Sequence, residues 1–144
     1  MPAQLKSSTH GETLVLTLSN PEFRNALGPE IYAAGTEALI AAEANPDIKT
    51  VIITGEGEHF CAGGNLNRLL QNRQRDPSVQ ANSIEGLHGW MQAIRTFPKP
   101  VIAAVEGACA GAGFSLVLMC DLVVASSNSV FVLAYSNEIG RAHV

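Results

Sequence analysis

Two short glycine-rich segments carry the residues with the clearest chemical potential in this sequence. The first spans residues 60–66 and reads Phe-Cys-Ala-Gly-Gly-Asn-Leu, and the second spans residues 107–115. Each follows an apolar run typical of a buried strand, at 50–54 and at 100–105, and each precedes a segment that can form a helix. Two such corners can direct two backbone N–H groups at one oxygen atom, which is how an oxyanion hole is built.

The backbone amides placed to act in this way are those of Gly64 and Ala112. Small residues at 62–64 let a ligand approach the backbone closely, and Asn65 is a good N-cap for a following helix. The N-terminal end of a helix favours developing negative charge. From the residues alone, a tight surface turn and close strand–helix packing are alternatives that also require small side chains.

Three other kinds of site fit these segments less well. A dinucleotide-binding fingerprint starting at Gly111 has Leu116 where its third glycine should be. A nucleophile elbow centred on Ser115 lacks its last glycine. Cys61 and His59 would share a face of a strand, but no third group orients the histidine, so Cys61 is interpreted as a packing thiol.

Composition favours one globular domain. The chain has 144 residues, of which 47% are hydrophobic and 15% charged, and its net charge is −4. This balance argues against nucleic-acid and anionic-membrane partners. We see neither an apolar run long enough to span a bilayer nor a signal peptide in residues 1–12. The three cysteines show no paired spacing, so we expect reduced thiols in a cytoplasmic protein and no metal site.

Strands and helices alternate along the predicted chain. Strands are expected at 13–18, 48–54 and 100–105, and short ones at 121–125 and 130–134, the last of these buried. Helices are expected from Pro29 to Asn45 and over 114–119. A further amphipathic helix is expected where Ile84, Leu87, Met91 and Ile94 form an apolar stripe, and it should end at Pro98. A helix over 66–74 is possible, and Asp76-Pro77-Ser78 is interpreted as a breaker. The alternation predicts an α/β fold.

The motifs resemble those of one family when they are read together. They are residues 20–27, 51–55, 60–66, 99–107 and 111–116, followed by Cys120-Asp121. Their types and order resemble the crotonase superfamily, the enoyl-CoA hydratase/isomerase family. The resemblance implies a crotonase-like ββα spiral, here truncated, and a parent protein that assembles as a homotrimer or hexamer.

The resemblance also implies an acyl-CoA thioester as the substrate, with coenzyme A as part of that substrate and no separate cofactor. It places the oxyanion-hole amides on Gly64 and Ala112. Arg24 could meet a CoA phosphate, or be an ordinary solvated charge. The residues that match the CoA-lining segments of the family are Arg24, Ala26, Ala62, Asn65 and Leu66.

Two positions depart from the hydratase pattern. Ser115 and Tyr135 stand where hydratases of the family have glutamates, and neither side chain supplies a carboxylate for acid–base work. This pattern resembles isomerases, whose acidic base comes from a segment after Asn137. We therefore expect double-bond isomerisation of an enoyl-CoA. The alternatives are hydration of a 2-enoyl-CoA, a non-catalytic acyl-CoA-binding pseudoenzyme and an inactive fragment.

The end of the chain is unlike the rest. We interpret residues 1–137 as the N-terminal part of a crotonase-like domain and residues 138–144 as a non-native tail that resembles translated adapter sequence. The isolated chain is expected to be poorly stable and inactive, and to expose a large apolar face.

Overall fold

The computed structural model describes residues 3–63 and 77–133. The strands are β1 (Gln4–His10), β2 (Thr13–Ser19), β3 (Thr50–Gly55), β4 (Val101–Val105), β5 (Ala108–Ala110), β6 (Leu122–Ala125) and β7 (Val130–Val132). The helices are α1 (Pro29–Ala44), α2 (Pro77–Arg95) and α3 (Ala112–Met119), with a short 3₁₀ turn at Pro21–Phe23. The α/β alternation predicted from the sequence is confirmed.

The larger sheet has five strands in the order β1-β2-β3-β4-β6. Strand β1 is antiparallel to β2, whereas β2, β3, β4 and β6 run parallel to one another. Alternate residues of the central strands are fully buried, as in Leu16, Ile53 and Ala103. Because β3 and β4 are parallel neighbours, the loops that follow them leave the same edge of the sheet, which brings the two glycine segments together.

Both long helices begin at a proline. Pro29 was predicted to open a helix, whereas the interpretation of Pro77 as a breaker was wrong, because Pro77 is the first residue of α2. A first-turn N–H has no partner in the helix, so proline is tolerated there. The helices pack closely: a Cβ added at Gly35 of α1 would lie 2.3 Å from the Trp90 indole of α2.

A second, two-stranded sheet pairs β5 with β7 in parallel. Its strand β5 was not predicted, because three residues show no periodicity. Strand β1 was also missed, since almost every side chain in it is exposed. The Val130–Val132 strand is present, but its predicted burial was wrong because all three side chains are exposed. In the described residues, β4, β5 and α3 form one consecutive ββα unit.

A group of large apolar side chains between residues 118 and 133 is exposed, and we call it the apolar face. It comprises the end of α3, the edge strand β6 and strand β7 with the residue after it. Its members are 39 to 64% exposed and are Leu118, Leu122, Val123, Val124, Val130, Phe131, Val132 and Leu133. An exposed apolar surface was expected from the sequence. Among the described helices, none is both long and apolar enough to cross a bilayer.

Candidate active site

The two glycine segments are joined by backbone hydrogen bonds. The N–H groups of Phe60 and Cys61 both lie 3.1 Å from the carbonyl oxygen of Ala108, and the N–H of Ala110 donates to the Cys61 carbonyl at 2.9 Å. Cys61 and Cys109 thus form a parallel bridge that extends the small sheet. Since backbone pairing sets the separation of two strands, the first segment has a defined position relative to the second.

Glycines allow this close approach. A Cβ added at Gly113 would lie 2.7 Å from the Cys61 Cβ and 2.9 Å from the Cys61 carbonyl oxygen. Gly63 has φ +105°, and a Cβ there would lie 3.6 Å from the Ala112 nitrogen. The glycines therefore do allow close strand–helix packing, one of the two alternatives to a ligand site that the residues left open. It also brings the Gly63 backbone beside Ala112.

Ala112 is the first residue of α3. Gly111, with φ +55° and ψ −123°, is the N-cap. The first hydrogen bond into the helix is from the Ser115 N–H to the Gly111 carbonyl at 3.1 Å. Within residues 3–63 and 77–133, no acceptor pairs with the Ala112 N–H. An unpaired donor at the positive end of a helix favours an anionic oxygen.

Ser115 lies one turn into α3 and its hydroxyl is directed back along the helix. Its Oγ donates to the Gly111 carbonyl at 3.5 Å. The side chain is half-buried. The first turn of α3 therefore carries a short hydroxyl that contacts its own helix terminus rather than a carboxylate.

The second predicted donor, Gly64, lies just outside the described residues, together with Asn65, Leu66 and Tyr135. The residue before it is held on both sides. The Gly63 N–H lies 3.4 Å from the Cys61 Sγ, and its carbonyl accepts from the Leu27 N–H at 2.7 Å.

The three other predicted CoA-lining residues lie close together. Arg24 is exposed in a left-handed conformation with φ +51°. Its carbonyl accepts from the N–H of half-buried Ala62 at 3.0 Å. Ala26 is only 4% exposed, and its carbonyl accepts from the Asn20 side-chain amide at 3.1 Å. The structure thus joins segment 24–27 to segment 61–63, with the Arg24 side chain on the outer surface.

Comparisons with known proteins identify the family and the fold. The family model described as enoyl-CoA hydratase/isomerase matches residues 9–141 of the chain. The chain belongs to the enoyl-CoA hydratase/isomerase family. The crystal structure of an enoyl-CoA hydratase from Polaromonas sp. JS666 is 70% identical and superposes with a TM-score of 0.93, over 94% of this chain and 53% of that one. The predicted crotonase fold is confirmed.

Curated relatives include both isomerases and hydratases. The 1,2-epoxyphenylacetyl-CoA isomerase of Escherichia coli K12 is 38% identical over 85% of this chain and 47% of its own length. The 2,3-dehydroadipyl-CoA hydratase of the same organism is 36% identical over 91% of this chain and 49% of its own length. The chain thus spans about half the length of the curated relatives it matches.

The three thiols of this family member are packing groups. Burial raises the pKa of the Cys61 thiol to about 12, that of Cys109 to about 11 and that of Cys120 to about 12. His59 directs its Nδ1 at the Ala108 N–H, 3.2 Å away, rather than at a thiol. A protonated thiol is a poor nucleophile, which agrees with the packing interpretation of Cys61. In the part of the chain that is described, no cluster of potential ligands could hold a metal ion.

Glu56 follows β3 but is engaged elsewhere. Its carboxylate receives hydrogen bonds from Lys6, at 2.8 Å, and from Ser19. These two hydrogen bonds, from Lys6 first and then from Ser19, lower the pKa of the Glu56 carboxyl. Glu56 thus forms a surface ion pair with Lys6.

Asn25 is the buried polar residue that sequence reasoning did not identify as part of the site. It is 1% exposed and has φ +61°. Its side chain bonds to the backbone of two other segments. The pair Asn20 and Asn25 beside Pro21 indicates a turn, because asparagine is the non-glycine residue most often left-handed in turns, but it does not indicate the partners of the Asn25 side chain.

Proposed function

We propose that the intact protein moves a double bond within an enoyl-CoA thioester. A base removes a proton from the carbon next to the thioester carbonyl, and the electron pair moves onto the carbonyl oxygen as an enolate. The same proton equivalent then returns to the far end of the conjugated system, so the atoms of the substrate and product are the same. Coenzyme A is part of the substrate, and no other cofactor is proposed.

In this proposal the enolate oxygen is bound by the N–H groups of Gly64 and Ala112. Support comes from the Ala112 amide at the start of α3, which has no acceptor among residues 3–63 and 77–133, and from the Gly63 backbone beside it. Backbone donors directed at charge that develops in the transition state lower the barrier more than they stabilise the substrate. Losing one such donor typically reduces kcat by about 10² to 10³-fold.

Ser115 is the observation that favours isomerisation over hydration. Addition of water needs a general base to activate the water, and a carboxylate is the usual choice. The side chain one turn beyond the Ala112 amide is instead a hydroxyl bonded to Gly111. We infer that the base for proton removal is a carboxylate outside the described residues, in line with the family resemblance.

Hydration is the second candidate, because a specific comparison favours it. The 70% identical Polaromonas structure is described as an enoyl-CoA hydratase, and the matched Escherichia coli relatives include a hydratase. A non-catalytic acyl-CoA binder is the third. On the family resemblance, we also propose a homotrimer or hexamer for the intact protein.

One spectroscopic experiment separates these candidates. The full-length gene product is incubated with a 3-enoyl-CoA, and separately with a 2-enoyl-CoA. Isomerisation raises the ultraviolet absorbance of the first by creating a conjugated thioester, whereas hydration lowers that of the second by destroying one. We expect the absorbance to rise faster with the 3-enoyl-CoA than it falls with the 2-enoyl-CoA. A faster fall would establish the hydratase, and acyl-CoA binding with neither change would establish the binder.

A further inference from the structure

The loop between β2 and α1 has an unusual backbone. Arg24 and Asn25 are consecutive left-handed residues, with φ +51° and +61°. A left-handed conformation is unfavourable for residues other than glycine, and it persists only where the surroundings impose it. Asn25 is 1% exposed, so an interior contact holds the loop in this shape.

That contact is made by the Asn25 side-chain amide. Its Oδ1 accepts from the Asn20 N–H at 2.9 Å. Its Nδ2 donates to the carbonyl oxygens of Glu56, at 2.9 Å, and His59, at 2.8 Å. Both amide hydrogens and the carbonyl are used, and every partner is a backbone group. A buried amide satisfied in this way restricts the relative position of the segments it joins.

The carbonyl groups of Glu56 and His59 belong to the segment that leads directly into the first glycine segment. On its other side, His59 accepts the Ala108 N–H at the start of β5. The neighbouring bonds from Ala62 N–H to Arg24 and from Leu27 N–H to Gly63 hold the end of the same segment. Residues 59–63 are therefore fixed between the Asn25 loop and the strand that leads to Ala112.

We propose that Asn25 is a positioning residue for the oxyanion hole: together with the backbone pairing to β5, its side-chain amide holds residues 59–63 in place relative to the Ala112 amide. The inference rests on the proposed function, because the distance matters only if both amides bind one oxygen. Asn25 itself does not touch the substrate. Misplacing a reacting group by 1 Å can reduce the rate by about 10²-fold.

Two substitutions separate the amide from the backbone shape. Asn25→Gly tolerates the left-handed φ and removes all three side-chain bonds. Asn25→Asp keeps the size and the Oδ1 acceptor but places an oxygen against the Glu56 and His59 carbonyls, which leaves them without a donor. Asn45→Gly is the matched control, because exposed Asn45 also accepts a backbone N–H, that of Asp47 at 2.9 Å, at the far end of α1.

The test uses the full-length gene product with an unreactive saturated acyl-CoA carrying a ¹³C-labelled thioester carbonyl. Polarisation by the two amides lowers the carbonyl stretching frequency on binding, and infrared difference spectra measure that shift. For both Asn25 variants we expect a reduced shift, with kcat lowered by about 10 to 100-fold because the donors are displaced. KM should change by less than about threefold, because an interaction made mainly in the transition state affects kcat rather than KM. Asn45→Gly should retain the wild-type shift and kcat.

The outcomes are distinguishable. A wild-type protein that binds the acyl-CoA without a shift refutes the proposed function. A wild-type shift that both folded Asn25 variants retain refutes this inference alone. If both variants unfold, His59→Ala removes the acceptor of the Ala108 N–H on the opposite side of the same segment. It is expected to reduce the shift, and an unchanged shift in that variant also overturns the inference.

Discussion

Substituting alanine for Gly113 tests the contact between the two glycine segments. The added Cβ would lie 2.7 Å from the Cys61 Cβ and 2.9 Å from both its carbonyl oxygen and its Sγ. Two carbons in ordinary contact are about 3.5–4.0 Å apart, so the segments must separate by about 1 Å. Because Gly113 is in a helix and its φ is not positive, the substitution would otherwise be favourable.

The magnitude follows from two opposing effects. Alanine gains about 0.5–1 kcal/mol over glycine in a helix, whereas overpacking a tight contact costs about 1–3 kcal/mol. We expect a net loss of stability of about 1 kcal/mol, since part of the steric cost is offset. The effect on kcat should be larger, about 10²-fold, because a 1 Å separation displaces one amide donor from the oxygen.

Thermal unfolding and kcat of the full-length gene product measure the two effects. Gly89→Ala in α2 is the matched control, because a Cβ there would meet nothing within 4 Å; it should stabilise by about 0.5–1 kcal/mol without changing kcat. In a Cys61→Gly background, which removes the Cβ and Sγ contacts, Gly113→Ala should cost less. An equal cost in both backgrounds, or stabilisation by Gly113→Ala alone, would refute the steric reasoning.

Three further predictions concern stability and surface. Burial raises the pKa of the Cys61 thiol from about 9 to about 12. The free energy of unfolding should therefore fall as pH rises from 9 towards 12, because only the unfolded thiol ionises in that range. Urea unfolding at pH 8 and pH 10.5 checks this, and an equal fall in the Cys61→Ala variant would contradict it. Lys99→Met removes the hydrogen bonds from Nζ to two carbonyls at the end of α1, at 2.6 and 2.9 Å. This substitution should lower the free energy of unfolding by about 1–2 kcal/mol. Urea unfolding measures the change, and a midpoint equal to that of the wild-type protein would contradict the prediction. The isolated 144-residue chain should bind a hydrophobic dye at its apolar face and raise the dye's fluorescence. The double variant Val123→Lys/Phe131→Lys should reduce that fluorescence. A dye signal no greater than that of a compact globular control would be inconsistent with this prediction.

Much of the fold could be predicted from periodicity. The helices beginning at Pro29 and passing through Trp90, and the strands at 13–18 and 100–105, have apolar residues at regular intervals, because one face of each packs against the core. Strand β1 lacks that signal: its partner β2 is mostly half-buried or buried, but β1 itself is an exposed edge. Its pairing comes from backbone hydrogen bonds, which leave no mark on side-chain type.

The candidate site divides in the same way. Ala112 could be recognised from the glycines around it, since a strand followed by small residues and an apolar helix predicts a free first-turn amide. Asn25 could not, because its partners are the backbone carbonyls of Glu56 and His59. Every residue type has such carbonyls, so nothing at positions 56 and 59 records the contact.

The sequence by itself determined the family resemblance, the alternation of strands and helices apart from β1 and β5, and the two places where side chains are small enough for a ligand to reach the backbone. These are properties of residue type and spacing along the chain. Only the tertiary structure decided that Gly113 touches Cys61, that the Ala112 N–H has no acceptor in the described residues, and that Asn25 joins the two loops. Hydrogen bonds and steric contacts depend on distances of a few ångströms between segments far apart in the chain, and those distances exist only once the sheet has formed.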